Sequence, residues 1–332
     1  MEYPIEITQN IFPESLDTLS LQSYRNDKLE PGLLPESIRR LVIVNNLFKP
    51  ITPGVLPTRL RQLKICSVDG VTRRILPNTL KFLTIMDFRT PITSEQLPES
   101  LTWLTTDGDI PILSKDSKLL TLDLAGFKAR QHIQYGQLPD SITRLSIPRA
   151  TGQNKGNTAW PPLLSHVTLG TTSHFRFDGT FPKTLRSVGV RDPIQLEGQL
   201  PRFTTKIDSL HLTIYLLAEK ATAKKLLRFI KSLYISVPNV TTYYLKFLDG
   251  SLMKLRRLDK RYTLSVFQRS SDPRSLYIAW LYSRYLSSDV NAECHSLGLQ
   301  ARLTNRFNKE DNNNTFVQIM TIPDAVAQTK MK

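Results

Sequence analysis

Side chains capable of bond-making chemistry are few in this chain, and their spacing is not that of a reaction centre. The five histidines, His132, His166, His174, His211 and His295, share no metal-ligand spacing, and neither Cys66 nor Cys294 belongs to a Cys-x-x-Cys pair. No Gly-x-Ser-x-Gly turn, phosphate-cradling glycine loop or paired-carboxylate context occurs. No catalytic, cofactor-binding or metal-binding residue is assigned, and the chain is read as non-enzymatic. The remaining side chains suit recognition. Phe82, Met86 and Trp103, with Arg40, Lys64 and Arg144 around them, have the composition of an interface anchor, aromatic at the centre and polar at the rim. A second group is basic: Lys224, Lys225, Arg228 and Lys231, then Lys254, Arg256, Arg257, Lys260 and Arg261. Tyr243, Tyr244, Tyr262 and Phe267 interleave with these cations, as the stacking side chains of a polyanion site do, although a solvated basic face has the same pattern.

The elements that would position the first group come from a repeat. With proline as position zero, apolar residues recur at plus three, plus six and plus eight. Pro35 leads to Ile38, Leu41 and Ile43, Pro57 to Leu60, Leu63 and Ile65, and Pro77 to Leu80, Leu83 and Ile85. Pro13, Pro139, Pro161 and Pro182 repeat the spacing, Pro98 does so with Thr106 at plus eight, and copies near Asp116 and Pro201 are degenerate. The period is near 22 residues, the signature of a solenoid. Alternation at plus six and plus eight is that of a strand with one buried face, and the three positions spell the Leu-x-x-Leu-x-Leu strand of a leucine-rich repeat. One such unit cannot bury its apolar row alone, whereas stacked copies close a continuous core. Proline is tolerated ahead of the strand because no ladder donor is needed there. The inter-strand segments, rich in Pro, Gly, Thr and Asp, predict turns and short 3-10 pieces rather than full helices.

In such an array the plus-five, plus-seven and plus-nine side chains leave the core and face the concave side of the sheet. Plus five places Arg40, Gln62, Phe82, Trp103, Thr121, Arg144 and His166 in a row, plus seven adds Lys64, and plus nine adds Cys66, Met86 and Asp107. Phe82, Trp103 and Met86 are therefore expected to cluster, exposed, as a protein-binding site flanked by Arg40, Lys64 and Arg144. A loop or the C-terminal region folded over them would remove that site.

Phe48-Lys49-Pro50-Ile51 followed by Pro53-Gly54-Val55-Leu56-Pro57 resembles the FNIP repeat, a relative of the leucine-rich repeat with a consensus of Phe-Asn-x-Pro-Ile, a Pro-Gly turn, and Leu-Pro-x-Ser-Leu-x-x-Leu. Leu34-Pro35-Glu36-Ser37-Ile38, Leu97-Pro98-Glu99-Ser100-Leu101 and Leu138-Pro139-Asp140-Ser141-Ile142 match its second part. The resemblance covers about residues 11–214. It implies an interaction module, in some members joined to an F-box. No F-box-sized segment precedes Phe12, so no ubiquitin-ligase role is expected here.

The expected organisation is an N-terminal cap at 1–11, the solenoid of about ten repeats at 12–214, and a basic α+β region at 215–332 that is either a domain or an enlarged cap. Within 215–332, Leu217–Leu233 suits an amphipathic helix. Thr241–Leu248 and Ser251–Leu258 flank the hairpin signal Asp249-Gly250, and Arg261–Gln268 alternates as a third strand. Ser275–Ser287 reads as a helix with an aromatic face, with a strand as the alternative, and Gly298–Phe307 with Thr315–Ile322 as a closing strand pair. Thr151–Thr158 is a polar surface loop. Residues 1–214 carry 25 Lys+Arg against 20 Asp+Glu, and residues 215–332 carry 19 against 9. The C-terminal excess favours nucleic acid or another anionic surface as a partner. No apolar stretch is long enough to span a bilayer and no secretory signal opens the chain, so an intracellular, cytoplasmic protein is expected. The reading is a scaffold binding a protein partner on the concave face, with a basic adaptor for nucleic acid or an anionic surface as the alternative.

Overall fold

The computed structural model describes residues 11–21, 29–43, 51–66, 74–86, 91–107, 111–124, 138–147, 160–170, 181–194, 205–215, 223–258, 262–268, 270, 276–282 and 320–321. The chain divides into two compact units, Met1–Leu185 and Arg186–Lys332, a division two strands ahead of the end of the repeat at Ile214.

The first unit holds the strands β1 (Thr18–Leu21), β2 (Arg40–Ile43), β3 (Gln62–Cys66), β4 (Phe82–Met86), β5 (Trp103–Thr106), β6 (Thr121–Leu124), β7 (Arg144–Ile147) and β8 (His166–Leu169). Each pairs in parallel with the next, and equal repeat positions stand side by side, as in Leu41↔Leu63↔Leu83↔Leu104↔Leu122. The plus-six and plus-eight side chains of β2 to β8 are buried, as are the plus-three residues Ile38, Leu60, Leu80, Leu101, Leu119, Ile142 and Leu164. Each full burial is worth roughly 1.5–3 kcal/mol. Thr106 occupies a plus-eight core position and is buried there. In β1, Leu19 and Leu21 are only half-buried.

The proline acts as the first residue of a turn. Its carbonyl accepts the plus-three amide, as in Leu60 N to Pro57 O (3.1 Å) and Leu101 N to Pro98 O (3.0 Å), and the strand begins two residues later. The plus-four carbonyl then accepts two amides from the next repeat: Arg39 O accepts from Arg61 N and Gln62 N, both at 2.9 Å. Among the described residues, turns and the 3-10 helix Ser94–Gln96 lie between the strands, in line with the expectation of few helices. Pro31-Gly32 and Pro53-Gly54 form equivalent turns in successive repeats, closed by Leu33 N to Glu30 O and Val55 N to Thr52 O, both 3.3 Å. Gly32 and Gly54 have φ of +84° and +86°, as the third residue of a type II turn requires.

A hydroxyl ladder ties the turns together. The plus-two Ser or Thr donates to the plus-three carbonyl of the preceding repeat: Ser37 to Leu16 O (2.7 Å), Thr79 to Leu60 O (2.8 Å), Ser100 to Leu80 O (2.6 Å), Ser141 to Leu119 O (2.6 Å) and Thr184 to Leu164 O (2.8 Å). Where plus two is Arg59, the rung is replaced by Glu36, whose Oε2 accepts from Thr58 N (2.8 Å) and Thr58 Oγ1 (2.6 Å). This is the physical role of the serine in Leu-Pro-x-Ser-Leu.

In the second unit β9 (Ser187–Ile194), β10 (Ile207–Ile214) and β11 (Val240–Phe247) run parallel, with the helix α1 (Ala223–Ser236) connecting β10 to β11. The strands β12 (Leu252–Arg257), β13 (Tyr262–Gln268), β14 (Leu276–Tyr282) and β15 (Met320–Thr321) continue antiparallel. Helix α1 buries Phe229, Ile230 and Leu233, with Val237 just beyond it, on the face of the sheet that carries Tyr243, Leu245 and Phe247. Tyr234 joins the two layers. Its ring lies 5.0 Å from that of Tyr243, and its hydroxyl donates to Thr263 Oγ1 at 3.0 Å.

Three expectations change here. The stretch 275–287 was expected first as a helix, but Leu276–Tyr282 is strand β14, paired residue for residue with β13 from Gln268↔Leu276 to Tyr262↔Tyr282. Its aromatic and β-branched content fits a pleated surface, and tertiary pairing overrides the helical period. Of the helix expected at 217–233 the described part is Ala223–Ser236, which runs three residues past Leu233; residues 217–222 lie outside the described residues. The Asp249-Gly250 turn is a three-residue loop: Gly250 N donates to Phe247 O (3.0 Å), Phe247 N to Ser251 O (2.8 Å), and Gly250 has φ +82°. Residues 1–10, the 151–158 loop, and the expected strand at 298–307 lie outside the described residues, and only Met320–Thr321 of 315–322 is described.

Candidate functional site

Alternation along each strand of the first unit sends the plus-five and plus-seven side chains to the sheet face opposite the core. Register therefore sets the order Thr18, Arg40, Gln62, Phe82, Trp103, Thr121, Arg144, His166, at about 4.8 Å per strand step. The expected aromatic pair forms. The Phe82 and Trp103 rings lie 6.1 Å apart at 44°, within the range of favourable aromatic contact. Phe82 is 40% exposed. Trp103 is half-buried rather than exposed, since it leans on Phe82 and its Nε1–H donates to Thr105 Oγ1 at 3.0 Å. Met86, two outward positions along β4 and in register with Cys66, is also half-buried. Thr121, though outward, is only 8% exposed between Trp103 and Arg144.

The flanking cations sit at unequal distances. Lys64 is one strand from β4, in register with Thr84. Arg40 lies two strands from Phe82, and its guanidinium is 3.6 Å from Asp17. Arg144 lies two strands from Trp103, on the opposite side. Next to it, partial burial and then the Arg144 charge hold the His166 imidazole below its ordinary pKa of 6.5, and Ser165 Oγ lies 2.8 Å from its Nδ1. One set of cations was not singled out from the sequence. Arg39, Arg61 and Lys81, the plus-four residues of three consecutive repeats, are all exposed beside this face. A count at plus four, as at plus five, reveals them.

The basic residues of the second unit fall on opposite sides of its sheet. Lys254 and Arg256 are exposed on the face that carries Tyr244, in register with Tyr244 and Thr242. There His211, Tyr244 and Lys254 form a row. The imidazole stacks on the phenol ring at 4.5 Å and 3°, and Lys254 Nζ lies 5.5 Å from the Tyr244 centroid. Arg257 turns the other way, 5.4 Å from the Tyr234 ring, and donates to Pro238 O. Lys224, Lys225, Arg228 and Lys231 lie on α1, which packs on that second side; Arg228 is exposed and Lys231 half-buried. Lys260 and Arg261 lie outside the described residues. On the helix side, burial and then the neighbouring Tyr234 push the Tyr243 phenol far above its ordinary range, and its hydroxyl donates to Val237 O at 2.9 Å.

Among the described residues no three of His, Cys, Asp and Glu come together as a metal site. Nor, among them, is any helix long and apolar enough to cross a membrane. Stacked turn-and-strand units with one apolar row inward define a leucine-rich-repeat-like solenoid, and a solved structure agrees. The crystal structure of CroV588, a novel circular LRR protein, matches with a TM-score of 0.50 and 22% identity over 74% of this chain and 35% of that one. The chain thus spans about a third of that protein's length. The FNIP Repeat family model matches residues 25–67, the two repeats that carry both Pro-Gly turns. No curated protein sequence matches the chain.

Proposed function

We propose that this chain is a non-enzymatic protein-interaction scaffold that binds its partner on the outward, concave face of the repeat sheet. Phe82, Trp103 and Met86 would form the anchor, with Arg40, Lys64 and Arg144 at the rim. The observation that carries the reading is the Phe82–Trp103 pair. Two large aromatic side chains touch on the solvent side of a sheet whose core is already filled from the other side. Tryptophan is among the residues most enriched where protein binding energy concentrates. Repeat solenoids of this class serve generally as interaction scaffolds, which supports the same direction. The alternative, polyanion binding through the basic residues beyond 215, draws support from Lys254 and Arg256 beside Tyr244. It is weakened by the placement of α1 on the other side of that sheet. Affinity capture from nuclease-treated lysate at moderate salt, with Phe82→Ala/Trp103→Ala as comparison, tests the reading. A discrete protein lost by the variant supports it. Equal capture by both forms rejects it.

A further inference from the structure

The outward face of the first unit carries charges of both signs. Beside it, just ahead of β3 and β4, lie Arg61 and Lys81, exposed at consecutive plus-four positions, and on it lies Lys64 at plus seven of β3. Among the described residues none of the three takes part in an ion pair, whereas Arg39 and Arg40 share Asp17 at 3.6 Å. The sign changes along one register row. Lys64, Thr84, Thr105 and Asp123 stand side by side on β3 to β6, so cation gives way to carboxylate over three strand steps, about 14 Å. Phe82 and Trp103 occupy the middle of that change.

The geometry points to the β2–β5 part of this face as the docking strip for an acidic polypeptide segment carrying one aromatic or large apolar side chain. The anchor packs on Phe82 and Trp103, and the carboxylates meet Arg61, Lys64 and Lys81. This deepens, and rests on, the reading of that face as a protein-binding surface. Four or five extended residues at about 3.3 Å each span the change of sign. A nucleic-acid strand fits less well. Its phosphates are uniformly charged, whereas the charges across this face change sign twice, from Lys64 on β3 to Asp123 on β6 and Arg144 on β7. A peptide can be acidic over the cations and neutral or basic beyond the anchor, so its charge complements both sides.

The test is selection of a random twelve-residue phage-displayed peptide library on the full chain. Fluorescence anisotropy of the enriched peptides then follows on wild type, Arg61→Glu, Lys81→Glu and Phe82→Ala/Trp103→Ala, with circular dichroism to verify folding. Because Arg61 and Lys81 are exposed, their variants are expected to fold. Enriched peptides should carry Asp or Glu within five residues of an aromatic or large apolar residue. Each charge reversal should weaken binding by about tenfold, the size of one charge-assisted contact, and the aromatic double variant should abolish it. Peptides lost by the aromatic variant but neither acidic nor sensitive to the reversals overturn the acidic-partner inference and leave the binding face standing. Peptides indifferent to all variants overturn both. Failure to enrich any peptide overturns the inference, and a twelve-nucleotide oligothymidylate bound through Lys81 in its place would name a polyanion as the occupant.

Discussion

Replacing Ser141 by alanine removes one rung of the hydroxyl ladder without touching the core. Its Oγ lies 2.6 Å from both Ser117 O and Leu119 O of the preceding repeat, so a single proton serves two carbonyls. A neutral hydrogen bond contributes about 1 kcal/mol net, and an acceptor left without its partner when partly buried costs about 1–3 kcal/mol. The expected loss for Ser141→Ala is therefore about 1–2 kcal/mol. Ser141→Thr should lose far less, since Thr184 makes the same pair of bonds, 3.0 Å to Pro162 O and 2.8 Å to Leu164 O. Urea unfolding followed by tryptophan fluorescence, with unchanged slopes as the condition for comparison, reads the difference. The reasoning fails if Ser141→Ala is as stable as wild type within about 0.3 kcal/mol. It also fails if threonine is as damaging as alanine.

Other perturbations probe different parts of the fold. Leu83→Ala, at a plus-six position with 0% exposure, should cost about 2–5 kcal/mol in the same unfolding assay. Gly54→Ala should cost about 1–2 kcal/mol, because φ is +86°, although the nearest atom to the added Cβ, on Pro31, is a tolerable 3.6 Å away; a thermal melt reads the loss. His166 has a folded pKa below its ordinary 6.5, so the unfolded chain binds the proton more readily. Its contribution to stability should fall as pH drops through 6.5 towards the folded value and level off beneath it. Arg144→Gln should raise the His166 midpoint in an NMR titration, but only in part, since burial is the larger cause.

How much of this was legible in the sequence depends on how local the cause is. The inward leucines at plus three, six and eight report a strand with one dry face, and the same count places Phe82 beside Trp103 before any coordinates exist. Trp103 shows the limit: its half-burial comes from the bond to Thr105 and the contact with Phe82, and neither is a matter of spacing. The ladder serine was visible as a repeated letter, but its acceptor lies about 21 residues earlier and exists only once the repeats stack. Beyond Ile214 periodicity no longer decides. Leu276–Tyr282 carries a helix-like aromatic spacing, and only its pairing with β13 makes it a strand. The basic residues from 224 to 257 look like one cluster in the sequence, yet a helix packed on one side of the sheet and a strand facing the other divide them.

The most direct test of the binding face is a photo-crosslinking amino acid placed at position 82, compared with the same probe at Ile235, 71% exposed on α1. Covalent capture of one protein from position 82, competed away by excess unlabelled chain and absent from position 235, is the outcome expected if the repeat sheet is the working surface. Equal yields from both positions, or capture from 235 alone, would contradict it.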